Sequence, residues 1–117
     1  DNLRIFDAAE AGCLSDAEKA TLENVRKAYE ARIRVGCTGC QYCMPCPQGI
    51  NIPDIFRSYD TASMFGNFTD FRKSYNAMET KADACVGCEA CVAACPQPFA
   101  TPIPEMLRRI HEENYAK

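Results

Sequence analysis

Apolar positions recur at intervals of three and four along this chain, and no stretch of useful length alternates with the period of two that a strand needs. Leu22, Val25, Tyr29 and Ile33 form the first such series. Ser15-Asp16-Ala17-Glu18 stands ahead of it as a capping box, with Ser15 as N-cap and Glu18 reaching back to its amide. Asp16 and Glu18 lie early and Arg32 and Arg34 late, the order a helix dipole favours. Gly36 supplies a stop. The spacing predicts a long amphipathic helix to about Arg34, with one buried stripe, that delivers the chain to residue 37. Before it, Leu3, Ile5 and Phe6 alternate loosely within residues 1–14, which read as a linker or a packed arm.

Two later stretches repeat each other. Cys46-Pro47-Gln48-Gly49-Ile50-Asn51-Ile52-Pro53-Asp54-Ile55-Phe56-Arg57 is echoed by Cys95-Pro96-Gln97, a longer link through Pro98-Phe99-Ala100-Thr101-Pro102, and Ile103-Pro104-Glu105-Met106-Leu107-Arg108. A proline with an acid beside it suits a first helical turn. Helices are therefore expected near 53–65 and 104–115, with Ile52 and Ile103 facing the cysteine runs before them or the core. Gly66-Asn67 breaks the first of these. Phe68, Phe71, Tyr75 and Met78 mark the apolar face of another helix, from Thr69 to about Thr80. A short helical turn is expected over Glu89–Ala94. The fold class is all-α. The chain reads as a single domain over 1–117, with an N-terminal arm and helix over 1–36 and a two-motif core over 37–117.

A chain of 117 residues suffices for one domain with a modest core. It buries roughly two-thirds of its unfolded surface, so a further cross-link would add useful stability. A net charge of −3 leaves no basic footprint for nucleic acid. No apolar run approaches the roughly 18 residues of a membrane span. No basic segment leads into an apolar one as in a secretory signal, so a cytoplasmic location is expected. The chain opens on Asp1-Asn2-Leu3 without an initiating Met and reads as a mature piece or an excised part of a larger protein.

The cysteines change the picture most. Cys37-Thr38-Gly39-Cys40-Gln41-Tyr42-Cys43-Met44-Pro45-Cys46-Pro47 is followed by Cys85-Val86-Gly87-Cys88-Glu89-Ala90-Cys91-Val92-Ala93-Ala94-Cys95-Pro96. A disulfide framework fits poorly: the count of nine is odd, the Cys-x-x-Cys spacing is regular, and no secretion signal stands ahead. Zinc sites usually split four ligands into two separate pairs, unlike these runs. Three cysteines in a Cys-x-x-Cys-x-x-Cys loop can reach three corners of a [4Fe–4S] cube. In two-cluster ferredoxins the fourth cysteine, before a proline, crosses to the other cluster. Applied here, Cys37, Cys40, Cys43 and Cys95 hold one [4Fe–4S] cluster, and Cys85, Cys88, Cys91 and Cys46 hold a second. The final gap in the first run is one residue shorter, Met44-Pro45. The alternative is that Cys46 and Cys95 each close the cluster of their own run.

The residues between the cysteines fit this chemistry. Gly39, Gly87, Ala90, Ala93 and Ala94 are small enough to let amides approach cluster sulfides. Tyr42, Met44, Ile50, Val86, Val92 and Phe99 can shield the clusters or simply pack. Cys13 stands alone and reads as a small structural thiol. His111, beside Glu112 and Glu113, reads as part of a solvated face. No Ser/His/Asp or Cys/His constellation and no phosphate loop occurs, so the chain is not catalytic by itself.

The order of a capped helix, Cys-Thr-Gly-Cys-Gln-Tyr-Cys-Met-Pro-Cys-Pro-Gln-Gly-Ile-Asn-Ile-Pro, a helical spacer, and Ala-Asp-Ala-Cys-Val-Gly-Cys-Glu-Ala-Cys-Val-Ala-Ala-Cys-Pro-Gln resembles the C-terminal ferredoxin-like domain of certain bacterial and archaeal aldo/keto reductases. The likeness covers nearly the whole chain and departs from the family in the longer link Pro98–Pro102. It implies an α-helical ferredoxin fold, also met in iron–sulfur subunits related to succinate dehydrogenase and fumarate reductase. It implies an N-terminal aldo/keto reductase barrel as partner, outside these residues, and a redox partner protein or cofactor.

Two functions of different kinds follow. The first is an electron-transfer module. Eight thiolates and two oxidised cores would bring its charge to about −7, favouring a basic docking patch on a partner. The second is a structural metal domain, holding zinc or clusters, that docks or stabilises a reductase without carrying electrons.

Overall fold

In the computed structural model, residues 4, 10, 12–99 and 101–115 are described. The expectation for Leu3, Ile5 and Phe6 lies outside the described residues. The chain divides into two units, residues 1–31 and 32–117.

In the first unit, helix α1 spans Asp16–Glu30. The Ser15 hydroxyl accepts from the Glu18 amide at 3.3 Å, and the Ser15 amide donates to the Glu18 carboxylate at 2.8 Å. The expected capping box is present, and its hydrogen bonds hold the Glu18 carboxyl below its ordinary range. Two expectations are corrected. No residue of α1 is buried, and Leu22, Val25 and Tyr29 are exposed. Periodicity identifies the apolar side of a helix; it does not supply an element to cover it. The helix also stops at Glu30, short of Arg34. The amides of Arg34, Val35 and Gly36 donate instead to the carboxylate of Asp60, at 2.9, 2.8 and 2.7 Å. In a continued helix those donors would be committed to carbonyls one turn back.

The second unit carries α2 (Ile52–Phe65), α3 (Phe68–Ala77), a 3₁₀ turn (Ala82–Ala84), α4 (Ala90–Ala94) and α5 (Ile103–Asn114). No strand occurs among the described residues, and the fold is all-α as its periodicity predicts. Asn51 caps α2 by accepting from the Asp54 amide, with Pro53 in the first turn. Gly66, at φ 69°, ends it. Asn67 caps α3 in the same way. Helix α3 stops at Ala77 rather than near Thr80, because Met78 turns extended. Helix α5 has Pro104 in its first turn, matching α2 as the repeat predicts.

Helix α2 packs against α3, and α5 against the 3₁₀ turn. Phe56, Tyr59, Tyr75, Ile55 and Leu107 are fully buried. Each side chain of this size contributes about 1.5–3 kcal/mol by leaving water. Tyr59 meets Phe71 edge-on at 5.5 Å, and Phe71 stacks on Tyr75 at 5.6 Å. The Tyr59 hydroxyl donates to Glu113 at 2.9 Å and accepts from the Arg34 guanidinium at 3.2 Å. The Tyr75 hydroxyl accepts from the Ala82 amide at 3.1 Å. Burial pushes the pKa of both phenols up. His111 departs from the solvated face expected of it. It shares a 2.8 Å hydrogen bond with the Tyr75 hydroxyl and stacks on Tyr115 at 4.6 Å. Its neighbours in sequence are acidic, but the turn of α5 aims its ring inward.

Candidate metal centre

The two cysteine runs share a backbone as well as a spacing. Gly39 and Gly87 both lie in the left-handed region, at φ 70° and 68°. Two residues on, Gln41 and Glu89 do the same, at φ 66° and 59°. A side chain there is disfavoured by about 1–2 kcal/mol, which glycine avoids and Gln41 and Glu89 bear. The repeated reversals curl each run in the same way. Beyond that point the runs diverge. Residues 90–94 wind into α4, with the Cys95 amide donating to the Cys91 carbonyl at 3.1 Å. Met44 precedes a proline, which disfavours the helical conformation there, and the first run ends in turns instead. The one-residue difference in the final gap is thus a turn in the first run and a helical segment in the second.

The cysteines line two cavities. One, of about 10 Å³, is bordered by Cys37, Cys40, Cys43 and Cys95, with Ile52, Phe56, Phe99 and Ile103 as apolar walls. The other, of about 200 Å³, is bordered by Cys85, Cys88, Cys91 and Cys46, and also by Cys43, with Ile52 and Leu107 behind them. Ile52 and Ile103 therefore sit where the repeat predicts, between the sites and the core. Cys40 and Cys88 are exposed, and the remaining six cysteines of the two runs are half-buried. Phe99, from the longer link, stands edge-on to Phe56 at 6.4 Å and closes the first cavity. Beside it, the Gln97 amide donates to the Thr38 hydroxyl at 3.4 Å, tying the end of the second run to the start of the first.

Burial raises the pKa of the Cys37, Cys43 and Cys91 thiols. A hydrogen bond from the Gly39 amide partly offsets this at Cys37. Charge on Cys95 raises both Cys37 and Cys43 further, and charge on Cys46 raises Cys91. These thiols are electrostatic neighbours across the two runs. Among the described residues no three His, Cys, Asp or Glu side chains converge on a point suited to a single ion. All-sulfur donor sets spread around two apolar cavities fit an iron–sulfur centre, whose thiolates sit on separate irons.

Of the residues expected to shield the sites, Ile50 is fully buried and Met44 and Phe99 are half-buried, while Tyr42, Val86 and Val92 are exposed. Cys13 is exposed. The sequence reading missed Asp60. This carboxylate is only 8% exposed and fixes the backbone that enters the first run. An acid inside the otherwise apolar face of α2 was the available signal.

An all-α fold with two cysteine-lined cavities defines a small iron–sulfur protein of the ferredoxin-like kind. The chain belongs to the 4Fe-4S dicluster domain family, whose profile matches residues 36–100. No curated protein matches the chain. No solved structure matches it either. Among the described residues no helix is long and apolar enough to cross a membrane.

Proposed function

We propose that the chain is an electron-transfer module binding two [4Fe–4S] clusters, with ligands exchanged between the runs. Cys37, Cys40, Cys43 and Cys95 hold one; Cys85, Cys88, Cys91 and Cys46 hold the other. The observation that carries this is the lining of the two cavities, each bordered by three cysteines of one run and the last cysteine of its partner, with Cys43 reaching the second cavity as well. An iron–sulfur cluster supplies one-electron transfer when bound. The protein's own contribution is to orient eight thiols, exclude water from their inner sides and leave Cys40 and Cys88 at the surface for electron exchange. Ile52, Phe56 and Leu107 make the buried walls rigid, which keeps reorganisation on electron transfer small. The resemblance of the cysteine runs to the terminal domain of aldo/keto reductases supports a cytoplasmic reductase barrel as the attached partner.

The test is anaerobic reconstitution of the full chain, followed by iron and sulfide analysis and electron paramagnetic resonance after dithionite. The proposal expects about eight irons per chain and a reducible signal. Two zincs and no reducible signal would overturn it in favour of a structural metal domain.

A further inference from the structure

The two loops that share one backbone differ in their charge. Across Gly39 lies the side chain of Arg57 from α2. A Cβ on Gly39 would come within 2.9 Å of Arg57 Cδ and 3.2 Å of a guanidinium nitrogen. The guanidinium therefore lies against the loop that carries Cys37 and Cys40. No ion pair or hydrogen bond engages it among the described residues. The nearby acid, Asp60, is buried and accepts from three backbone amides, and its charge also bears on Cys37, so the first site has one carboxylate against its cation. Across Gly87 there is no atom within 4 Å. The open cleft beside Gly87 and Cys85 is bordered instead by Asp83, Glu105 and Glu112, against Arg108 and His111. Arg108 is the repeat counterpart of Arg57 and lies in that mixed cleft.

We infer that Arg57 sets the reduction potential of the site lined by Cys37, Cys40 and Cys43 above that of the site lined by Cys85, Cys88 and Cys91. The inference rests on the two-cluster reading above. Adding an electron makes a site more negative, so a cation beside it favours reduction and carboxylates beside it oppose it. The loop of the first run, with no side chain at Gly39, lets the cation approach the backbone closely. The first site is then where an electron rests, and the second is the stronger reductant. The loops themselves differ in the same direction, since Gln41 of the first is replaced by Glu89 at the equivalent place in the second, where it borders the cavity.

The experiment is a redox titration of the reconstituted full chain, followed by electron paramagnetic resonance, for the wild type, Arg57→Gln, Arg57→Lys and Glu105→Gln. Iron content is measured first, so a chain that loads no clusters counts against the two-cluster reading rather than against Arg57. With about eight irons bound, two reduction steps are expected. Arg57→Gln lowers the upper step about threefold in its equilibrium, roughly 30 mV for one electron, and leaves the lower step in place. Arg57→Lys keeps the wild-type upper step, and Glu105→Gln raises the lower step alone. Added salt shrinks both shifts. An upper step unmoved by Arg57→Gln, a shift of the lower step, or equal shifts of both would overturn the inference.

Discussion

Gly39 and Gly87 hold the same place in two copies of one loop, yet only Gly39 has a neighbour across it. The entry to the first loop is pinned, with three successive amides on the buried carboxylate of Asp60. The second loop follows a 3₁₀ turn held by the Tyr75 hydroxyl and leads into α4. The contrast teaches that a ligand spacing can be duplicated while its supports are not. The curl of each run comes from local left-handed residues, so it copies with the sequence. The supports come from α2, α3 and α5, and each element offers different side chains to the run beside it.

Breaking α4 is the strongest way to disturb one copy and spare the other. The Ala93 amide donates to the Glu89 carbonyl at 3.1 Å, and a proline there removes that bond and crowds the turn. Ala93→Pro is expected to cost about 3 kcal/mol in denaturant unfolding. The first run already carries Pro45 and has no helix to lose. Next in size, Asp60→Ala leaves three amides of the first run's entry without their acceptor, at a cost of about 1–3 kcal/mol. Hydrogen exchange at Arg34, Val35 and Gly36 should quicken while exchange at residues 91–95 holds; quickening in both places would refute separate supports.

The paired variants Gly39→Ala and Gly87→Ala sharpen the comparison. Each places a side chain at positive φ, for about 1–2 kcal/mol. Only Gly39→Ala also displaces Arg57, so only it should shift the upper reduction step. Equal effects of the two on both steps would erase the distinction. The smallest effect is alkaline. Burial raises the Tyr59 and Tyr75 phenols above their ordinary value of 10.0. A raised folded pKa gives stability that is whole below pH 10 and is lost as pH rises through the raised value. Their phenolate absorbance should appear above pH 10 together with unfolding of the second unit, followed by circular dichroism. Ionisation of either within a folded chain at pH 10 would contradict their burial.

Much of this arrangement is legible in the sequence because its causes are local. Ser15 and Glu18 mark the start of α1, and the Ile-Pro-acid pattern marks α2 and α5, since caps and first-turn prolines act within a few residues. The Cys-x-x-Cys spacing marks the metal sites for the same reason. Asp60 and His111 were not legible. The amides Asp60 holds lie more than twenty positions away, and His111 finds Tyr75 only once α5 has docked. The stripe of α1 is legible as apolar, but its exposure depends on what stands opposite, which periodicity does not encode. Spacing does not choose between crossed and local ligands for a similar reason: it groups three cysteines in each run, and the partner of the fourth depends on how the runs pack.

That fourth ligand carries the account, and one iron count tests it. In the crossed arrangement Cys46 and Cys88 serve the same cluster, so the double variant Cys46→Ala with Cys88→Ala removes one cluster and leaves the other whole. After anaerobic reconstitution it should retain about four irons per chain, as each single variant does. If each run closes its own cluster, the two substitutions strike different clusters. The double variant would then retain almost no iron, and the crossed assignment would be wrong.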